Sequence, residues 1–366
     1  MKTGLVQKHF MTFALIAAVA MGTASLCVSR IKADENDAST TAGTDQAADD
    51  SKLIDLAARE IRRYLYLRTG RLMPVALRVG DMIVMQPEDR EQEPVIIVAD
   101  GKTADLRGFL NGDAELAAKV ESLQPGEYIL LRQGNSVKVI GGDPLGTLYG
   151  AYALCEKLGV RFYLHGDVVP DEQVTPSALW ASVRFSEEIE SPLFDLRGIQ
   201  PFHDFPEGPD WWSREEYKSI LAQLVKMRMN FFGLHTYPEG KVGPEPSVWI
   251  GRSEDQDENG RPAASYPARH FTTANPQTSW GYVPMATSDY RFGAADLFAT
   301  DDHGPEYMAG MQPFDAQTDE QSCELFHRFG AELNDCFKFA RRLGIKTCIG
   351  TETPLELPQK VQQRLA

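Results

Sequence analysis

The chain has 366 residues, 43% hydrophobic and 24% charged, an ordinary globular balance with room for roughly two or three domains. Its formal net charge of -15 at pH 7 argues against a nucleic-acid partner, which would require a basic face, and reads first as a solubility feature. The cysteines (Cys27, Cys155, Cys323, Cys336 and Cys348) match no zinc or redox spacing and read as small buried hydrophobes.

Lys2, Lys8 and His9 precede an apolar run from Phe10 to Met21, and Gly22-Thr23-Ala24 places small residues at cleavage spacing. This predicts a secretory signal peptide over residues 1–24 and a secreted or periplasmic protein, or one associated with the cell envelope. No stable membrane insertion is expected after cleavage. An uncleaved anchor is the other reading, although the run is short for a spanning helix. Residues 33–50 are acidic, small and free of aromatics, which predicts a disordered linker over 25–50.

Leu53 to Leu67 carries Ile54, Ala57, Ile61, Tyr64 and Leu65 at helical spacing. Val75 to Val79 and Val95 to Ala99 read as buried strands. Tyr128 to Arg132 and Val137 to Ile140 read as a hairpin around Gln133-Gly134-Asn135. A Gly-Gly turn follows, then a helix with Tyr149, Tyr152, Cys155 and Leu158 on one face and Gly159 as its stop. Val160 to Tyr163 is a short strand that closes the unit.

Beyond Ser186 the pattern changes. Phe194 to Gln200 (FDLRGIQ) reads as a strand. Ser213-Arg214-Glu215-Glu216 is a capping box opening a helix with Tyr217, Ile220, Leu221, Leu224 and Met227 on one face. Asn230 to His235 (NFFGLH) is a second strand. Thr318-Asp319-Glu320-Gln321 is another possible capping box, and its helix carries Leu325, Phe329, Leu333, Cys336, Phe337 and Ala340. Gly344 stops that helix, Lys346 to Gly350 is a third strand, and a further helix begins near Pro358. This alternation is the start of a parallel (β/α)8 barrel, which needs eight strands, so the chain is expected to be a fragment of a longer protein.

Residues 238–314 are too long for an ordinary loop and are rich in aromatics and acids, among them Trp249, Trp280, Asp301, Asp302 and His303. They leave the C-terminal end of the second strand, the active-site face of such barrels. Aromatic rings beside carboxylates suit sugar rings. A self-packed loop with its own small core is the alternative.

The stretch GNSVKVIGGDPLGTLYGAYALCEKLGVRFYLHGD (Gly134 to Asp167), with Arg197-Gly198 and Asn230 to His235, resembles β-hexosaminidases and α-glucuronidases. The resemblance implies an α/β chain: an N-terminal α+β sandwich-like accessory domain at 51–185, then an incomplete (β/α)8 TIM barrel at 194–366. The function it implies is a secreted glycoside hydrolase acting on a polysaccharide or oligosaccharide by carboxylate acid/base chemistry, with no cofactor and no metal. In those families the Arg of the Arg-Gly pair holds ring hydroxyls, which assigns that role to Arg197, and His235 orients carboxylates and substrate. The family's Asp after the Arg falls on Phe202, with His203 and Asp204 just beyond. Its Asp after the His falls on Pro238, with Glu239 adjacent. The family's catalytic acid follows the fourth strand, beyond Ala366, so Glu352 after the third strand reads as a substrate or supporting residue. The candidate substrate-binding set is therefore Arg197, His203, Asp204, His235, Trp249, Trp280 and Glu352, with His235, Glu239 and Glu352 as supporting catalytic candidates. Two other classes stay open. One is a non-catalytic carbohydrate-binding or surface protein on the same architecture. The other is a metal-dependent hydrolase using His203, Asp204, His235, Glu239, Asp301, Asp302 and His303. Nothing in the sequence sets an oligomeric state.

Overall fold

The computed structural model describes residues 38–110, 112–201, 209, 212–236, 249, 252–263, 318–351 and 363. The expected signal peptide, the expected helix near Pro358 and most of residues 238–314 lie outside that set. By its contacts the chain divides into Met1–Gln46 and Ala47–Ala366, and the architecture below is that of the second unit.

Helix α1 runs Ala38–Thr69, so it begins well before Leu53, inside the stretch read as linker. Its serine, threonine, glycine and aspartate residues are poor helix formers, so propensity gave no sign of a helix there. From Leu53 onward the expected face is buried: Ile54, Ala57, Ile61, Tyr64 and Leu65.

A six-stranded mixed sheet follows, in the order β1-β2-β3-β5-β4-β8. Its strands are β1 (Val75–Val79), β2 (Met82–Met85), β3 (Val95–Asp100), β4 (Tyr128–Gln133), β5 (Ser136–Gly141) and β8 (Ile189–Glu190). The hairpin of β4 and β5 forms as expected, with Gln133 opposite Ser136 across Gly134. β3 and β5 run parallel, Val95 to Asp100 beside Ser136 to Gly141. The reading of β1 as a buried strand is corrected: most of it is exposed, because it is the sheet's edge. The buried strand is its neighbour β2, a four-residue run (MIVM) that the sequence reading passed over.

Helices cover this sheet on opposite faces, a layered arrangement of helix, sheet and helix and not a pair of stacked sheets. On one face Ile83, Met85, Ile96, Val98, Leu130, Val137 and Val139 pack with α1, with α3 (Pro144–Lys157) and with α4 (Pro176–Ser182). On the other, Met82, Val84, Ile97, Ala99, Ile129, Leu131 and Ile140 pack with a short 3-10 helix (Ala104–Phe109) and α2 (Ala114–Glu121). Period-2 alternation in β3, β4 and β5 thus feeds separate cores. Asp143 caps α3 by accepting from Gly146 N at 2.7 Å, and Pro144 supplies a preset first turn. Gly141 is obligatory here: a Cβ on it would fall 2.0 Å from Thr147 N. The small hairpin of β6 (Arg161–Tyr163) and β7 (Gly166–Val168) comes next.

The second sheet is parallel and three-stranded, ordered β11-β10-β9, with β9 at Gly198–Ile199, β10 at Phe231–Thr236 and β11 at Lys346–Thr351. Helix α5 (Arg214–Lys226) connects β9 to β10, and α6 (Asp319–Arg342) precedes β11. The Ser213 capping box is present, with Ser213 Oγ accepting from Glu216 N and Glu216 accepting from Ser213 N. At α6, Thr318 Oγ1 accepts from Gln321 N, and Gly344 ends the helix at φ +75°. Arg214 donates to both Glu332 oxygens at 2.6 and 2.5 Å, which ties α5 to α6. The expected strand Phe194 to Gln200 is real only at Gly198–Ile199, and Leu193, Phe194 and Leu196 before it are exposed. Among the described residues all three sheets are open, and no closed barrel is present. No helix among them is long and apolar enough to cross a membrane.

Candidate functional site

Alternation along β10 sorts its side chains. Phe232 and Leu234 are buried on the helix side, where Phe232 meets Tyr217 edge-on at 6.2 Å and lies 6.3 Å from Trp212. Phe231, Gly233 and His235 fall on the opposite face, as do Lys346, Cys348 and Gly350 of β11 by the parallel register. His235 stands opposite Gly350 at the C-terminal ends of the two strands. In parallel α/β sheets this end is where chemistry is placed. Cys348 is exposed, which corrects its reading as a buried hydrophobe, because its face of the sheet has no layer over it among the described residues. Cys155 and Cys336 are buried as expected. Burial pushes the Cys155 thiol up, and pushes that of Cys336 up to about 12, so neither is a nucleophile.

Arg197 sits at the other end. Its backbone N donates to Asn230 Oδ1 at 2.8 Å, its Nε to Arg228 O at 2.9 Å and its Nη1 to Phe194 O at 2.6 Å. Its guanidinium lies 5.6 Å from the centre of the Tyr149 ring on α3. Gly198 pairs with Phe231, so roughly 13 Å of strand separates it from the level of His235, at about 3.3 Å per residue. Arg228 takes φ +61°, a left-handed conformation that turns its carbonyl toward Arg197. The geometry therefore gives the Arg197 fork a joining task among β9, the turn before β10 and α3. Gly198 is required beside it, since a Cβ there would fall 1.8 Å from Phe231 O.

Asn230 organises the same end. Its Nδ2 donates to Asp195 O at 2.8 Å, its own N donates to Arg197 O, and its O accepts from Lys346 N. Trp249 is partly buried against the main core. His203, Asp204, Glu239, Trp280 and Glu352 lie outside the described residues, as do Asp301, Asp302 and His303. Among the described residues no group of three or more His, Cys, Asp or Glu side chains is placed to hold a metal.

A charged cluster that no spacing signalled joins the first sheet's domain to α5. Lys226 Nζ donates to Asp167 Oδ1 and Oδ2 at 3.0 and 2.8 Å, and Tyr64 OH donates to Asp167 Oδ2 at 2.6 Å. Burial alone would raise the Asp167 carboxyl, but hydrogen bonds from Lys226 and Tyr64 outweigh it and hold it below the usual carboxylate range. Glu60 and Arg63 stand nearby on α1. The signal was weak because Tyr64, Asp167 and Lys226 come from three remote segments.

No family model matches the chain, and no curated protein matches it. Several solved structures are distantly similar, and two of them follow. One is a 4-O-methyl-α-glucuronidase of family GH115 with specificity for decorated arabinogalactans, 14% identical, covering 78% of this chain and 38% of that one at a TM-score of 0.36. The other is a β-N-acetylglucosaminidase of glycoside hydrolase family 20, 18% identical, covering 68% of this chain and 60% of that one at a TM-score of 0.22. The chain thus spans less than two thirds of either.

Proposed function

We infer that this chain belongs to a carbohydrate-active hydrolase, with an accessory α/β domain followed by the opening βα units of a (β/α)8 barrel. The observation that carries the reading is the parallel β9-β10-β11 sheet, backed by α5 and α6, with His235 at its C-terminal end. Glu352 follows β11 directly in sequence and Glu239 follows β10 closely, and such barrels hold substrate with residues that come after their strands. The substrate class is a polysaccharide or oligosaccharide. His235 and these carboxylates orient it, and a carboxylic acid elsewhere in the whole protein protonates the leaving oxygen. His203, Asp204, Trp249 and Trp280 complete the sugar-contacting set. Arg197, assigned to ring hydroxyls by resemblance, instead positions the first strand in this reading. The protein is secreted or periplasmic, directed there by residues 1–24.

The test is to purify the whole natural protein and assay it on aryl glycosides and on plant and bacterial oligosaccharides. Hydrolysis that falls at least tenfold in His235→Ala, with unchanged melting temperature, supports the reading. Sugar binding with no hydrolysis would transfer the protein to the non-catalytic class. Hydrolysis abolished by a chelator and restored by a divalent metal would point to the metal-dependent class.

A further inference from the structure

The first domain contains a cavity of its own, far from the strand ends discussed above in fold terms. It has a volume of about 510 Å³ and is lined by Leu106, Leu110, Val120 and Leu123, with Lys102, Thr103, Arg107 and Glu121 as its polar groups. That volume lies in the usual range for small-molecule sites, roughly 300–1,000 Å³.

Its place in the topology is significant. β3 and β5 are adjacent and parallel, and they end together at Asp100 and Gly141. The chain leaving β3 passes through the 3-10 helix and α2, which pack on one face of the sheet. The chain leaving β5 passes into α3, which packs on the other. Neighbouring parallel strands whose connections part in this way open a crevice beyond their carboxyl ends, and that is where open α/β sheets bind ligands. The cavity occupies this crevice: its lining includes Gly101 and Gly142, the residues immediately after β3 and β5.

The floor is bare backbone by necessity. A Cβ on Gly142 would fall 2.1 Å from Gln124 O, and one on Gly101 would fall 3.0 Å from Gly141 O. The charges of the rim offset one another. Arg107 pairs with Glu121 across the mouth. Lys102 has Asp100 behind it, whose carboxylate accepts from Lys102 N at 2.9 Å. What remains is an aliphatic wall and a ring of donors and acceptors with no dominant sign.

We propose that this crevice is a second ligand site, separate from the barrel, and that it takes a small uncharged ring compound bearing hydroxyls. The aliphatic wall accepts the ring's C–H edge. Lys102, Thr103 and Arg107 donate to hydroxyl oxygens, and Glu121 accepts from hydroxyl protons. A charged ligand gains no net countercharge there. This site does not depend on the hydrolase reading, since none of its residues belongs to β9, β10 or β11.

The full chain, labelled at leucine, valine and alanine methyls, is titrated with trans-cyclohexanediol, myo-inositol and methyl β-glucopyranoside, with glucuronate as the charged counterpart. Saturable shifts in the methyls of Leu106, Leu110, Val120 and Leu123 are expected for at least one uncharged probe. Ala117→Phe, which fills the cavity from α2, should abolish them while the methyls of Val137 and Leu148 keep their positions. If that substitution disturbs α2, Ala104→Phe fills the mouth from the other side. The proposal is overturned if all uncharged probes leave those methyls unmoved. It is likewise overturned if the shifts persist in both filled variants, or if glucuronate binds more tightly than the neutral glucoside.

Discussion

Replacing Lys226 by Met leaves the Asp167 carboxylate buried without its principal partner. Both side chains are largely enclosed, 10% and 11% exposed, so water cannot take over the lost contacts. Breaking such a pair from one side costs about 3–5 kcal/mol. Tyr64 still donates at 2.6 Å and Arg63 stands 3.8 Å away, which places the expected loss at the lower end, about 3 kcal/mol. The assay is urea unfolding followed by tryptophan fluorescence. The pH dependence has a definite sign. In the parent the folded-state pKa of Asp167 is depressed, so its contribution is present above the unfolded value near 3.9 and is lost as pH falls through the folded value. In Lys226→Met burial dominates and the carboxyl titrates higher, so the variant's deficit at pH 7 should shrink by pH 4 as the group takes up a proton. Lys226→Met with Asp167→Leu should cost less than the sum of the single changes by more than about 1 kcal/mol. A deficit below about 1 kcal/mol, or one that is flat in pH, would refute the view of these groups as a buried coupled pair.

Arg197→Lys keeps the charge but loses the fork that reaches Arg228 O and Phe194 O, so stability should fall by about 1–2 kcal/mol. If glycoside turnover falls well beyond that loss, Arg197 touches substrate after all. Lys138 is fully buried and its ammonium donates to Gln133 and Ser136, and burial lowers its pKa against the opposing charge of Asp113. Lys138→Met should therefore stabilise the protein by about 1 kcal/mol at neutral pH. Because the unfolded lysine holds its proton to about pH 10.4, parent stability rises as pH climbs toward that value and the gap closes; a gap constant in pH would contradict this. Under native alkylation with mass spectrometry, Cys348 should react fast while Cys155 and Cys336 stay protected, and rapid labelling of Cys155 would show that α3 opens.

The elements legible in the sequence are those with a strong local signal. The Ser213 box, the Gly134 hairpin and the stop at Gly344 each depend on residues within a few positions, and each formed where expected. What failed depended on position in the sheet. Nothing local distinguishes VALRV at an exposed edge from MIVM beneath two layers, because burial of a strand is decided by its neighbours. The candidate site was legible in the same measure. The period-2 pattern of NFFGLH puts His235 on the face opposite Phe232 and Leu234, and strand direction puts it at the C-terminal end of the parallel sheet. The task of Arg197 was not legible, since its acceptors are backbone carbonyls that folding alone brings near.

Asn230 has a consequence for how this sheet can vary. One side chain and its peptide group contact the start of β9 and the start of β11, so the three strands are fixed against one another at a single edge. A substitution there alters every register at once. The constraint thus falls at the end tied to α3 through Arg197 and the Tyr149 ring, while His235 stands at the other end of β10.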